Sequence, residues 1–200
     1  MIRPRTASMS TLAFATLLTL AVSAVAAGTV VFTSSTFDAD DEGWTVQGEA
    51  QGPNHHATGG KKDGYISATD PPSTTGTSYW KAPAKFLGSL GAAFNGKLSY
   101  DIRDVGAGST FGDADVVLAS GGTVLEYRQK KRPKGAKWAH FGVKLNGRKG
   151  WVDGSNGAKA SPQQMQSVLS SLDTLLIRGE YRNGAETLDI DNVVLKVKAK

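Results

Sequence analysis

Thr187-Leu188-Asp189-Ile190-Asp191-Asn192-Val193-Val194-Leu195-Lys196-Val197 is the stretch on which the fold turns. Leu188 and Ile190 fall on one side of an extended chain, and Asp189 and Asp191 fall on the other. A period of two predicts a strand that buries its aliphatic side and projects both carboxylates together away from the core. Lys97 to Ile102 repeats the pattern, with Leu98, Tyr100 and Ile102 opposite Ser99, Asp101 and Arg103. Shorter apolar pieces lie at 30–32, 43–46, 64–68, 115–119, 123–128, 139–145 and 174–181, separated by Gly, Asn, Asp and Pro clusters. Asn-Gly dipeptides at 95–96, 146–147, 156–157 and 183–184 suit turns with positive φ. Tyr181-Arg182-Asn183-Gly184-Ala185-Glu186 reads most clearly as a hairpin.

One segment has the other period. Ser161 is placed to cap a helix, Pro162 takes the first helical position, and Gln164 completes a capping box. Met165, Val168, Leu169 and Leu172 follow at helical spacing. Many short strands with one covering helix near 162–172 predict an all-β fold, a β-sandwich of jelly-roll type.

The chain has 200 residues, which is one domain's worth. It holds no Cys, which rules out disulfides, Cys-ligated zinc, iron–sulfur clusters and a thiol nucleophile. Its formal charge is +5, and Arg3 and Arg5 lie in an N-terminal segment that reads as a leader. The charge left without them is too mild to imply a specific nucleic-acid partner. Leu12 to Val25 is apolar, and Ala24-Val25-Ala26 resembles a cleavage site, with Ala27 a close alternative. Residues 1–27 therefore read as a signal peptide and 28–200 as the mature domain. The alternative is an uncleaved anchor, for which the apolar run is short of the ~20 residues a spanning helix needs. The mature chain has no second such run. The expected location is secreted: extracellular or periplasmic.

No catalytic pattern is readable. His55 and His56 are adjacent, so on an extended chain they point to opposite sides, and His140 is remote in sequence. There is no H-E-x-x-H motif and no G-x-S-x-G elbow. The expectation is a protein that is not an enzyme.

Three features suit binding. Phe37-Asp38-Ala39-Asp40-Asp41-Glu42-Gly43-Trp44 and the closing strand carry acids at the two ends of the domain. If the outer strands pair, Asp38 and Asp191 are candidate ligands of a structural Ca²⁺; the same residues also read as a solvated turn and a polar strand face. Arg128, Lys130, Lys131, Arg132, Lys134 and Lys137 form a basic run ended by Trp138. Arg128, Lys130, Lys131, Arg132 and Trp138 are the candidate contacts to an anionic polymer, and the alternative is a solvated hairpin tip. Trp80, Trp138 and Trp151, with Tyr65 and Tyr127, suit either sugar stacking or core packing, whereas Trp44 reads as core.

Taken in order, several segments resemble the laminin IV type A domain, also called the laminin B domain. They are Phe37-Asp38 through Glu42-Gly43-Trp44; Gly64-Tyr65-Ile66-Ser67-Ala68-Thr69-Asp70-Pro71; Tyr79-Trp80-Lys81-Ala82-Pro83-Ala84-Lys85-Phe86-Leu87-Gly88; Gly96-Lys97-Leu98-Ser99-Tyr100; Asp115-Val116-Val117-Leu118; Val168-Leu169-Ser170-Ser171-Leu172 with Leu176-Ile177-Arg178-Gly179-Glu180-Tyr181; and Leu188 through Asp191-Asn192-Val193-Val194-Leu195. The resemblance runs over nearly all of 34–197. It implies a galactose-binding-like jelly roll in an extracellular setting and does not imply catalysis. The expected role is a secreted binding or adhesion module for glycans or other envelope or matrix polymers, with anionic or neutral polysaccharide and other extracellular proteins as partners. A structural protein acting through protein–protein contacts and a glycoside-active enzyme are the alternatives. The basic run at 128–137 lies outside the family pattern. The Ca²⁺ reading rests on a looser analogy with carbohydrate-binding sandwiches. Mass spectrometry of the native protein is expected to find an N-terminus near Ala27 or Gly28; an intact Met1 contradicts the leader reading.

Overall fold

The structure is a computed structural model that describes residues 28–72 and 76–199; the leader reading on 1–27 lies outside them. The strands in chain order are β1 (Thr29–Ser35), β2 (Thr45–Gln47), β3 (Gln51–His56), β4 (Tyr65–Asp70), β5 (Tyr79–Lys81), β6 (Lys97–Gly106), β7 (Val116–Ser120), β8 (Thr123–Tyr127), β9 (Ala139–Lys144) and β10 (Trp151–Asp153). Helix α1 (Pro162–Ser170), β11 (Thr174–Arg178) and β12 (Glu186–Lys198) complete the fold. The strands form a jelly-roll β-sandwich. Sheet A has the order β3-β4-β12-β6-β9, with β1 also paired to β12, and sheet B has the order β10-β8-β7-β11-β5-β2. All pairings are antiparallel.

Strand β12 holds sheet A together. Its first half pairs with β4, its second half with β1, and β6 runs along its other side. Leu188 and Ile190 face the core as expected, but so do Val193, Leu195 and Val197, which have the opposite parity. A bulge between Asp191 and Val194, with Asn192 at a φ of 48°, absorbs the extra residue and restores the inward set. The first and last strands pair, as expected of a sandwich. The core between the sheets contains Trp44, Trp80, Trp151, Tyr100 and Phe86.

Helix α1 begins as the sequence predicts. Ser161 Oγ accepts from the Gln164 N–H at 3.1 Å, and Gln164 Oε1 accepts from the Ser161 N–H at 2.9 Å. The helix stops at Ser170 because Leu172 exchanges backbone hydrogen bonds with Gly88 instead. A two-residue turn at Gly121-Gly122, both at positive φ, joins β7 to β8.

The segment at 181–186 corrects the hairpin expectation. β11 lies in sheet B and β12 in sheet A, so this stretch crosses between sheets. Glu186 Oε1 accepts from the N–H groups of Tyr181 at 2.8 Å and Arg182 at 3.3 Å, which replaces the pairing a hairpin would supply. Arg182 Nε reaches both oxygens of Asp104 at 3.1 and 2.8 Å. The basic run at 128–137 is likewise a crossing from sheet B to sheet A rather than a hairpin tip.

Burial, and then the neighbouring Asp104 carboxylate, push the Glu186 carboxyl up to about 8. The unfolded chain releases this proton near 4.5, so between about 4.5 and about 8 the folded state holds more protons and stability falls as pH rises. Glu186→Gln keeps an oxygen for the two N–H donors and offers Asp104 an N–H at every pH. Thermal unfolding is expected to show a flatter decline for this variant from pH 5 to 8.5; equal slopes contradict the assignment.

Candidate functional site

The outer face of sheet A is built on the carboxylates of β12. Asp189 is buried, and its Oδ2 accepts from Arg103 Nε at 2.7 Å. Burial lifts the Asp189 carboxyl above its ordinary range and the guanidinium pulls it back down. The Arg103 guanidinium lies 4.9 Å from the Tyr65 ring centroid and 4.6 Å from that of Trp138. The two rings meet edge to face at 5.6 Å, and His56 stacks on Tyr65 at 4.4 Å. Register makes this cluster: Asp189 stands between Ser67 and Arg103 on the neighbouring strands, and Tyr65 stands opposite His56.

Asp191 is buried as well. Its Oδ2 accepts from the N–H of Lys61 at 2.7 Å, and its Oδ1 from the N–H of Asn192 at 2.5 Å. Burial raises its carboxyl, and these backbone donors oppose the shift. The carboxylate thereby pins the 59–64 loop across the sheet. Gly64 allows this loop to pass the first acidic turn, since a Cβ there would run into the Phe37 carbonyl.

The basic run starts from a fixed point, where Asp115 Oδ2 accepts from the Gln129 N–H at 2.7 Å. Pro133 is buried in its middle, and Trp138 Nε1 donates to the Gly59 carbonyl at 3.4 Å at its end. Between these anchors Lys130, Lys131, Arg132, Lys134 and Lys137 are exposed. They edge an open groove of about 600 Å³ whose floor includes Trp138, Ala139 and His140. A second groove, of about 470 Å³, shares His140 and continues to Lys97, Lys196, Lys61 and Lys62. His140 Nδ1 lies 3.1 Å from Asp101 Oδ1.

The expected site residues fall as follows. Lys130, Lys131, Arg132 and Trp138 come together at the first groove. Arg128 stands outside its lining and lies 3.8 Å from Glu126 Oε2. Asp38 is exposed and accepts from the Thr36 hydroxyl at 2.7 Å, whereas Asp191 is turned onto backbone donors. Asp189 and Asp191 do not form a solvated strand face, because Arg103 and the 59–64 loop cover them. The first acidic stretch folds onto itself: Glu42 Oε1 accepts from the N–H groups of Thr36 and Phe37, and Glu42 pairs with Lys85. Among the described residues no three or more His, Asp or Glu side chains gather in an arrangement fit to hold a metal ion. Trp44, Trp80 and Trp151 are core. Each His has a partner: His55 with the Phe37 carbonyl, His56 with Ser67 and His140 with Asp101.

Sequence reasoning missed Arg103, Lys61, Lys62, Lys97 and Lys196 as members of the site. They are scattered in sequence, and only the pairing of Lys97 with Lys196 across β6 and β12 joins the last two.

A family model described as Laminin B (Domain IV) matches residues 79–199. The basement membrane proteoglycan of Caenorhabditis elegans is 31% identical over 109 residues, which is 54% of this chain and 3% of that protein. The chain thus spans a small fraction of this curated relative's length. The L4b domain of human laminin alpha-2 superposes with a TM-score of 0.66 at 15% identity, covering 84% of this chain and 98% of that one. The CBM22-1 xylan-binding domain from Paenibacillus barcinonensis Xyn10C superposes with a TM-score of 0.49 at 15% identity, over 88% of this chain and 100% of that one.

Removing the Asp191 carboxylate strands the N–H groups of Lys61 and Asn192. Asp191→Ala is expected to cost about 1–3 kcal/mol of stability, by the same amount in EDTA and in millimolar Ca²⁺. A wild-type melting temperature that rises with Ca²⁺, and a variant that does not respond, would instead support the Asp38/Asp191 ion.

Proposed function

The chain belongs to the Laminin B (Domain IV) family, and from that premise we propose that it is a non-catalytic extracellular module that binds a polysaccharide or related matrix polymer on the outer face of sheet A. One observation carries the reading. Five exposed cations edge the groove at 130–141, and the loop that bears them is tied down at Asp115, Pro133 and Trp138. A solvated loop has no need of these anchors, whereas a binding loop gains from them because less ordering entropy is lost on contact. Export of the chain by its leader and release into the extracellular or periplasmic space belong to the same proposal.

Contact with another extracellular protein is a second reading. Its support is strand β1, which among the described residues pairs with β12 alone and leaves Val30, Val31 and Phe32 at 50%, 56% and 49% exposure. Unpaired strand edges with apolar residues are ready templates for another chain.

Elution from a heparin-like resin tests the first reading. Replacing Lys130, Lys131 and Arg132 with Ser is expected to lower the eluting salt concentration and leave the melting temperature nearly unchanged, since all three side chains are exposed. An unchanged elution position contradicts the assignment.

A further inference from the structure

We propose that the two grooves on sheet A form one continuous track for a linear polyanionic polysaccharide, its sulfate or carboxylate groups held in turn by the 130–137 loop and by Lys97, Lys196, Lys61 and Lys62. The proposal rests on the binding reading above and extends it to a ligand class, a direction and a second set of residues.

Continuity comes from His140, which lines both grooves. It sits on β9 opposite Asp101 of β6, and Lys97 lies four residues earlier on β6. At ~3.3 Å per residue, Lys97 is about 13 Å along the strand from the level of His140. Lys97 and Lys196 stand opposite one another on adjacent strands, where like charges repel. The Lys97 ammonium leans away from Lys196 over Gly142 of β9, two residues from His140 on that strand, so the line of cations runs from Lys196 toward the first groove.

The acids under the track do not cancel its charge at the surface. Asp191 is buried and turned toward backbone donors of the 59–64 loop. Asp101 is buried, and His140 covers it with a side chain that is 57% exposed. Negative charge lies below and ammonium groups lie at the rim, so the ligand that fits carries negative charge repeated along its length.

The chemistry favours a glycan over a nucleic acid. Single-strand binders offer free aromatic faces on which bases stack. Here the guanidinium of Arg103 lies over both the Trp138 and Tyr65 rings, and His56 stacks on Tyr65. The rim is mostly lysine, a compact point charge without the planar fork that reads base edges. Arg132, the arginine of the rim, approaches the backbone at Gly112. Recognition therefore goes through anionic groups, with the lysine stems available to the apolar faces of sugar rings.

The test is calorimetric titration with a length series of heparin-derived oligosaccharides, a matched series of oligogalacturonates that carry only carboxylates, and single-stranded DNA of equal charge. The proteins are the wild type, Lys130→Ser/Lys131→Ser and Lys97→Ser/Lys196→Ser, with melting temperatures checked first. Wild-type affinity is expected to rise with chain length until both grooves are filled and then level off. Lys97→Ser/Lys196→Ser is expected to bind short chains like the wild type and long chains roughly tenfold more weakly, the scale of two exposed ion contacts. Its log-affinity against log-salt slope falls by up to about one per lysine removed. Which of the two series binds more tightly assigns sulfate or carboxylate as the recognised group. Long-chain binding unchanged in Lys97→Ser/Lys196→Ser but weakened in Lys130→Ser/Lys131→Ser overturns the track and leaves the single-groove reading standing. DNA bound as tightly as the glycans overturns the ligand class. No wild-type binding to any of the three overturns the binding reading itself.

Discussion

A strand buried on both faces must satisfy the carboxylates it carries, and in this protein that strand is β12. It pairs with β1 and β4 on one side and with β6 on the other, and its inward residues fill the sandwich core. Asp189 and Asp191 point the other way and are nevertheless buried. A buried charge without partners is far too costly to retain. Asp189 therefore takes Arg103, and Asp191 takes the backbone of the 59–64 loop. Those two solutions determine what the outer face looks like.

The consequences spread outward from them. Arg103, fixed by Asp189, lies against Tyr65 and Trp138. Trp138 terminates the basic crossing and is hydrogen-bonded to Gly59, at the start of the loop that Asp191 holds. The two cation-bearing segments, 59–64 and 130–137, are thus linked to each other through the acids of one strand. At the start of β12, on the inward side of the same two strands, a similar rule applies with a different outcome. Asp104 has Arg182, but Glu186 lies beside Asp104 with no cation of its own and keeps its proton well above the usual carboxylate range. Its role there is to cap the crossing from β11 to β12.

Much of this was legible in the sequence because it is local. The alternation at 188–191 and 97–102 gave the two central strands of sheet A, and the Ser161/Gln164 box gave the helix start. The ordered resemblance gave the family, whose model matches 79–199 and so takes in the later segments. Local signals could not decide pairing. Asn183-Gly184 has good turn chemistry, yet the strands around it belong to different sheets, because turn residues do not specify which partner a strand finds. Strand β3 carries a Pro and two His, and β10 has three residues, so neither shows a usable period. The basic loop was visible as a charge run, but its anchors are Asp115, a buried Pro133 and the Gly59 carbonyl, and the first and last of these are long-range contacts. Lys97 and Lys196 escaped notice because only strand register unites them, and Lys61 and Lys62 because their loop is held by the side chain of Asp191, far away in sequence.

The acids of β12 and β6 organise an outward cationic surface on sheet A, and the proposed role of that surface is to receive an anionic glycan. Residue-resolved amide chemical-shift mapping during titration with a sulfated oligosaccharide tests it most directly. Perturbations are expected to concentrate at 130–140, at Lys97 and Lys196 and in the 59–64 loop, with sheet B silent. Perturbations confined to sheet B or to strand β1, or none at saturating ligand, would contradict it.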